Sequence, residues 1–383
     1  MMIVEWNKLG ATLIKNVRKY IDGQYFIENI DVAFNDRVKC IGECNDYSYD
    51  EVIEASNYIA LPTLNDHYVY LYDYLHRLGL NKDNLSRNDV SKTIETICLE
   101  KLLNGISGVF IDLGYITYSV TLQGICKCME IHLGQRVNHE VINTYTCKYI
   151  PVIDDKTDPN NLPSLLKEVE KEVIYIRFLI ERRHPYVIKE KTGLWPMAFL
   201  EKSGVFELNK YYYFIGLNWI STMDLEVLKY YRDQSFIISL PSKTMYIANG
   251  GFSPLYEIME KYGVRVFLGT SGLNSSILNE ARQTLLLYRY NYWDRRLSIE
   301  HIRKIIFQQE HRLFHNNSLE KGSFANIALY NSYISKSHDP LHSLIFNEVH
   351  PVYVFIKGCK IVDPRNRIDL INRYRDLLVE IID

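Results

Sequence analysis

Between Val90 and Gln309 the hydrophobic period of the sequence keeps switching, and that alternation limits the fold more than any single motif. Val90, Ile94, Ile97, Cys98 and Leu102 recur at helical spacing, Gly105 stops the run, and Val109-Phe110-Ile111-Asp112 follows as a short apolar strand. The exchange then repeats. Helical patterns at residues 165–172, 182–200, 223–231 and 254–262 alternate with strand patterns at 173–180, 211–217, 236–240 and 264–268, and two helices at 278–292 and 299–309 close the series. A chain of this kind builds a parallel sheet covered by helices, because parallel strands need long crossover connections.

Composition narrows the partners. The 383 residues carry a formal net charge of −2, which lacks the basic excess of a phosphate-binding face, so nucleic acid is not expected. No run is apolar enough to span a bilayer, and no membrane partner is expected. The seven cysteines form no Cys-x-x-Cys pair and read as reduced, buried thiols of a cytoplasmic protein. The ends of the chain differ from its middle. Residues 11–17, 25–30 and 38–42 read as short strands between polar turns, and strand patterns return at 322–330 and 352–362.

The join between the opening strands and the alternating region is Ile59-Ala60-Leu61-Pro62-Thr63-Leu64-Asn65-Asp66-His67-Tyr68-Val69-Tyr70-Leu71. Tyr68, Tyr70, Tyr72 and Tyr74 alternate with Val69, Leu71 and Asp73, which predicts a strand over 68–74. This stretch resembles the first barrel strand of the amidohydrolase superfamily, in the branch of deaminases and chlorohydrolases. The resemblance rests on the pattern Pro-Gly-Leu-x-Asn/Asp-x-His-x-His-Leu, matched here at Pro62, Leu64, Asp66 and Leu71. The opening hairpin of the family is similar to residues 30–42, and its closing strands are similar to 322–330 and 352–362. The resemblance implies a TIM-like (β/α)8 barrel over 61–320. It also implies a small composite β-sandwich built from 1–60 and 321–383.

The same resemblance implies a metal-dependent hydrolase of carbon–nitrogen bonds other than peptide bonds, with ligands at the barrel mouth. At those positions this sequence has Tyr68 and Tyr70 for the first two histidines and Phe178 for the third. Gly216 stands for the fourth, and Ser271 for the last aspartate, in Gly269-Thr270-Ser271-Gly272. Phenol, phenyl, hydrogen and hydroxyl are poor zinc donors beside imidazole and carboxylate, so no divalent metal and no other cofactor is expected. Glu181 keeps the proton-shuttle position and is the one catalytic candidate, with Asp66 and Asn218 as partners at the mouth. His67, next to Tyr68 on a strand, is expected to point away from the interior. The pairs His132/His139 and His311/His315 have near-ligand spacing, and His311/His315, next to Asn316-Asn317, reads as a solvated helix end. Gly-x-Ser-x-Gly, phosphate-loop and dinucleotide motifs are missing.

Three readings follow. The first is a pseudoenzyme that serves as a binding or scaffold subunit. The second is a hydrolase or deaminase with an atypical or absent metal that uses Glu181. The third is a sensor that holds a small heteroaromatic ligand between tyrosines. A homodimer or hetero-oligomer is expected, with Tyr288, Tyr290 and Tyr292 offered to a partner.

Overall fold

The structure is a computed structural model that describes residues 10–21, 26–45, 48–80, 85–116, 118–122, 124–137, 148–153, 156–178, 184–308, 312–315, 318–332 and 339–382. Five strands open the chain: β1 (Thr12–Ile21), β2 (Phe26–Phe34), β3 (Val38–Gly42), β4 (Glu51–Glu54) and β5 (Tyr58–Pro62). Eight more follow, separated by helices and loops: β6 (Leu64–Tyr70), β7 (Ile106–Asp112), β8 (Glu130–Arg136), β9 (Lys148–Ile153), β10 (Val173–Arg177), β11 (Tyr211–Ile215), β12 (Ser235–Ser239) and β13 (Arg265–Leu268). The tail adds β14 (Ile327–Asn331), β15 (Pro351–Ile356) and β16 (Cys359–Val362).

Strands β6 to β13 pair in sequence order, each parallel to the next. The sheet closes on itself just past β13, where Ser271 N–H donates to the Tyr68 carbonyl at 2.8 Å and Tyr70 N–H to the Ser271 carbonyl at 3.2 Å. The result is a (β/α)8-type barrel. Its helices bury the outward residues of the strands, such as Val109, Ile111, Ile174, Ile176 and Phe214, against Ile94, Ile97 and Leu285.

Aromatic rings fill the barrel. Phe110 stacks on Tyr175 at 3.8 Å, Tyr175 on Tyr213 at 4.9 Å, and Tyr213 on Phe236 at 4.7 Å. Rings of this size need room, and Gly134 gives it: a Cβ there would meet Phe110 Cζ at 2.6 Å and Val152 Cγ2 at 2.8 Å. The other sheet runs β16-β15-β14-β5-β1-β2-β3, with β4 on β1, so strands from both ends of the chain share one sheet and one small core around Val17, Phe34, Ile327 and Phe355. Its bridge is β5, which pairs β1 on one side and β14 on the other, one residue before the barrel begins.

Four differences from the sequence reading have physical causes. The strand predicted over 68–74 stops at Tyr70, and a helix runs over Leu71–Arg77. Tyr72 and Tyr74 fit a period of two, but Leu71, Tyr74 and Leu75 also fit a helical face, and that face is the one buried. Strands β8 and β9 lie in a stretch whose hydrophobic pattern predicts no element. The helix Arg367–Ile382 is likewise not predicted, and it packs on the helix Arg87–Leu103 of the barrel, so the last part of the C-terminal segment does not belong to the terminal sheet. Finally, four cysteines are disulfide-bonded, Cys40 to Cys44 and Cys98 to Cys126, where reduced thiols were expected. Packing of the turn Gly124–Cys128 on the helix Arg87–Leu103 brings Cys98 and Cys126 together across 28 positions of sequence. No helix among the described residues is long and apolar enough to cross a membrane.

Candidate functional site

The C-terminal ends of the barrel strands carry the polar side chains, as in TIM-barrel enzymes generally. Strand parity decides which residues reach the interior. On β7, Phe110 faces the ring stack, so Asp112 two residues on faces the same way at the strand end. On β8 the inward set ends in Arg136, and on β10 Tyr175 is followed by Arg177.

These ends meet. The Tyr68 hydroxyl donates to Asp112 Oδ2 at 2.6 Å, and Arg136 Nη1 donates to the same oxygen at 3.0 Å. Asp112 Oδ1 accepts from Gly114 N–H at 2.9 Å. Arg136 and Asp112 are only 2% and 0% exposed, so this is a buried ion pair, joined through Nη1, in which attraction is set against the desolvation of two charges. Arg177, also buried, lies over the Tyr70 ring at 4.6 Å, and Arg136 lies 5.8 Å from the same ring and 5.7 Å from the ring of Tyr115. Tyr115 is 47% exposed and marks the solvent side of the cluster. Burial raises the Tyr68 hydroxyl well above its ordinary pKa and pushes Tyr70 up to about 12; the nearby guanidinium of Arg177 pulls against both shifts.

The other expected positions behave differently. Phe178 does not join Tyr68 and Tyr70. It follows Arg177 and therefore points outward, 6.0 Å from Phe214 in the layer between barrel and helices. The inward residue at that place is Arg177, one position earlier than the resemblance suggested. Gly216 has φ +87° and serves the backbone, its N–H donating to the Ile238 carbonyl at 2.9 Å. The Ser271 hydroxyl donates to Asp73 at 2.6 Å, and Asp73 pairs with Lys243 at 2.7 Å. Asn218 donates to Thr244 Oγ1 at 2.8 Å and accepts from Ser253. Glu181 lies outside the described residues, as do His139 and His311.

Asp66 is no partner at the mouth. Its carboxylate turns to the outer layer, where it accepts from Thr270 N–H at 3.0 Å, from Thr270 Oγ1 at 2.6 Å and from Lys101 Nζ at 2.9 Å. His67 is a further correction. It is buried against interior rings, stacked on Phe267 at 4.3 Å and edge-on to Phe314 at 5.1 Å. The cause is a bulge: Asp66 pairs with Val109 but Val69 with Ile111, so β6 has one extra residue there and strict alternation fails. Burial lowers the His67 pKa to about 3. Sequence reasoning missed Asp112, Arg136 and Arg177 as site residues. Their signal was polar residues at the ends of apolar strands, above all in Glu130-Ile131-His132-Leu133-Gly134-Gln135-Arg136.

With this geometry in view, the chain can be set beside solved structures. It superimposes on an atrazine chlorohydrolase from Arthrobacter aurescens complexed with zinc, with a TM-score of 0.73 and 15% identity over 96% of this chain and 100% of the other. An adenosine deaminase from Xanthomonas campestris with bound zinc gives a TM-score of 0.74 and 12% identity over 97% and 98%. A guanine deaminase from C. acetobutylicum with bound guanine gives 0.73 and 14% over 92% and 100%. The chain has the amidohydrolase fold. No protein-family model and no curated protein sequence matches it.

The amidohydrolase fold raises the question of a divalent ion at the mouth. Among the described residues no group of three or more His, Cys, Asp or Glu side chains is arranged to hold one. Among the described residues, the donors at the mouth do not fit a dication. Two phenols would have to ionise against the burial that raises their pKa values, and the Asp112 carboxylate is already engaged by a hydroxyl, a guanidinium and a backbone N–H.

Proposed function

We propose that this chain is a metal-free, non-catalytic relative of the amidohydrolases that acts as a binding or scaffold subunit. The observation that carries the reading is the Tyr68–Asp112–Arg136 network, with Arg177 over Tyr70. In the chlorohydrolase and adenosine deaminase neighbours a zinc ion is bound. Here fixed guanidinium groups occupy the strand ends and supply the positive charge from within the chain. A guanidinium cannot activate water as a metal does, because it offers no open coordination position and no Lewis-acid orbital. It does hold a carboxylate, and so gives a barrel that is stable without an ion.

Elemental analysis of the purified protein tests this. Far less than one equivalent of Zn, Fe, Mn or Ni per chain is expected, and treatment with a chelator is expected to leave Tm unchanged. Purine, pyrimidine and triazine substrates are expected to remain unhydrolysed. One equivalent of metal, lost together with activity on chelation, overturns the reading. A sensor role is the second reading, favoured by the half-exposed Tyr115 beside Arg136.

A further inference from the structure

We infer that the Cys98–Cys126 disulfide is a redox latch on the loop after β7, through which a dithiol of the surroundings releases one flank of the barrel mouth without unfolding the barrel. The inference adds regulation to the mouth and does not depend on whether a metal is bound there. The loop runs from the end of β7 to the turn Gly124–Cys128, and between Leu113 and Leu122 its described residues form no helix or strand. It carries two groups of the mouth. Gly114 N–H donates to Asp112 Oδ1 at 2.9 Å, and the Tyr115 ring lies 5.7 Å from the Arg136 guanidinium.

The loop is tied down along the helix Arg87–Leu103. At the helix start the Tyr118 hydroxyl donates to the Leu85 carbonyl at 2.7 Å, and Arg87 lies 5.5 Å from the Tyr118 ring. Val120 N–H donates to the Tyr149 hydroxyl at 3.3 Å, and Ile116 and Val120 are buried in the core between barrel and helices. Further along, the turn comes so close to the helix that a Cβ on Gly124 would meet Glu95 Oε1 at 2.7 Å, and there Cys126 is joined to Cys98. The hydrogen bonds and ring contacts break and re-form one at a time. The covalent bond does not, and it removes the arrangements in which the turn has lifted from the helix. Cys98 and Cys126 are 0% and 1% exposed, so a reagent reaches the bond by local opening of the loop. One thiolate of the dithiol then attacks a sulfur of the pair, and the other sulfur leaves as a thiolate and takes a proton. The second thiol of the reagent resolves the mixed disulfide. Two electrons and two protons end on Cys98 and Cys126, and the reagent departs as a disulfide. The other bond, Cys40–Cys44, spans four positions in the terminal sheet and ties no part of the mouth.

The test takes the full chain, purified without reductant, and treats it with dithiothreitol at neutral pH. Thiols are trapped with iodoacetamide and mapped by peptide mass, circular dichroism reports the fold, and amide hydrogen exchange reports the loop. Dithiothreitol should open Cys98–Cys126 while the circular dichroism is unchanged. Exchange over residues 113–128 should then quicken on the order of tenfold, with the strands Tyr211–Ile215 and Ser235–Ser239 unaffected, and reoxidation should restore it. Cys98→Ala with Cys126→Ala should show the fast loop with or without dithiothreitol, and Cys40→Ala with Cys44→Ala should respond as wild type does. Should the first double variant fail to fold, the wild-type arm still decides. Free thiols at both Cys98 and Cys126 in the untreated protein overturn the inference. So does a bond that opens only where the whole chain unfolds, or loop exchange that is the same with the bond open and closed. The elemental analysis bears on the proposed function alone, so the two failures are told apart.

Discussion

Arg136→Met isolates the ion pair on which the reading of the mouth depends. Arg136 Nη1 stands 3.0 Å from Asp112 Oδ2, and both side chains are buried. At that distance and an effective dielectric of ~20, the attraction is roughly 5 kcal/mol, most of it spent against desolvation of the two charges. The net value of the pair is therefore small, but the cost of breaking it from one side is not. Methionine keeps the volume of the stem and leaves the carboxylate with the Tyr68 hydroxyl and the Gly114 N–H alone. The expected loss is about 3–5 kcal/mol. Asp112→Asn in the Arg136→Met background removes the stranded charge and keeps one acceptor oxygen, so most of that loss should return. Urea unfolding at neutral pH, followed by fluorescence and circular dichroism together, measures the four corners of the cycle. A single-variant loss under about 1 kcal/mol, or losses that simply add in the double variant, would refute the argument that a completed buried pair holds the mouth together.

The remaining predictions concern other parts of the chain. His67 has a folded pKa lowered to about 3, so the unfolded chain takes up its proton first and stability falls as pH drops below about 6.5. Between pH 7.5 and 5.5 this amounts to about 1.4 kcal/mol. Glu280, raised to about 7 by burial, has the opposite sign, its contribution being full at low pH and lost as pH rises through 7. On acidification over that range, the stability of His67→Phe should rise relative to wild type and that of Glu280→Gln should fall relative to it; parallel profiles for all three proteins would dismiss both assignments. Gly134→Ala should cost about 1–3 kcal/mol by overpacking against Phe110 and Val152, and unchanged urea midpoints would contradict it. For assembly, Tyr290 and Trp293 are 84% and 95% exposed on and beyond the helix Ile277–Tyr292, whereas Tyr288 is buried at 0%. Light scattering should show an oligomer that Tyr290→Ser with Trp293→Ser dissociates; a monomeric wild type at micromolar concentration removes the idea.

How much of this was legible in the sequence depended on what fixes each feature. Helices such as Arg87–Leu103 and Ile277–Tyr292 and the strands of apolar runs follow from local periodicity, and their order was enough to imply the barrel. Strand β8 escaped because a barrel interior that is polar at its end makes a strand look like a loop. The direction of His67 was lost because a single bulge reverses parity, and no local pattern announces a bulge. Phe178 and Arg177 are adjacent, so one position of misalignment exchanged an outer ring for an inner cation. The Asp112–Arg136 pair joins residues 24 apart on neighbouring strands, a relation set by register rather than by spacing.

The turned-away carboxylate of Asp66 has a consequence for how the chain is made. Asp66 and Thr270 are 204 residues apart, and with the Tyr68–Ser271 backbone bonds they form the seam where the first barrel strand meets the last. A ribosome adding ~5–20 residues per second needs roughly 10–40 s to travel from one side of that seam to the other. Throughout that interval the edge of β6 that meets residues 270 and 271 has no partner to pair with. Lys101, carried on the first long helix, is positioned early beside Asp66 and can neutralise it before Thr270 arrives. Barrel closure is then a late event of synthesis with a prepared receiving side, and a chain cut before residue 270 keeps an exposed strand that invites a second chain to fill the gap.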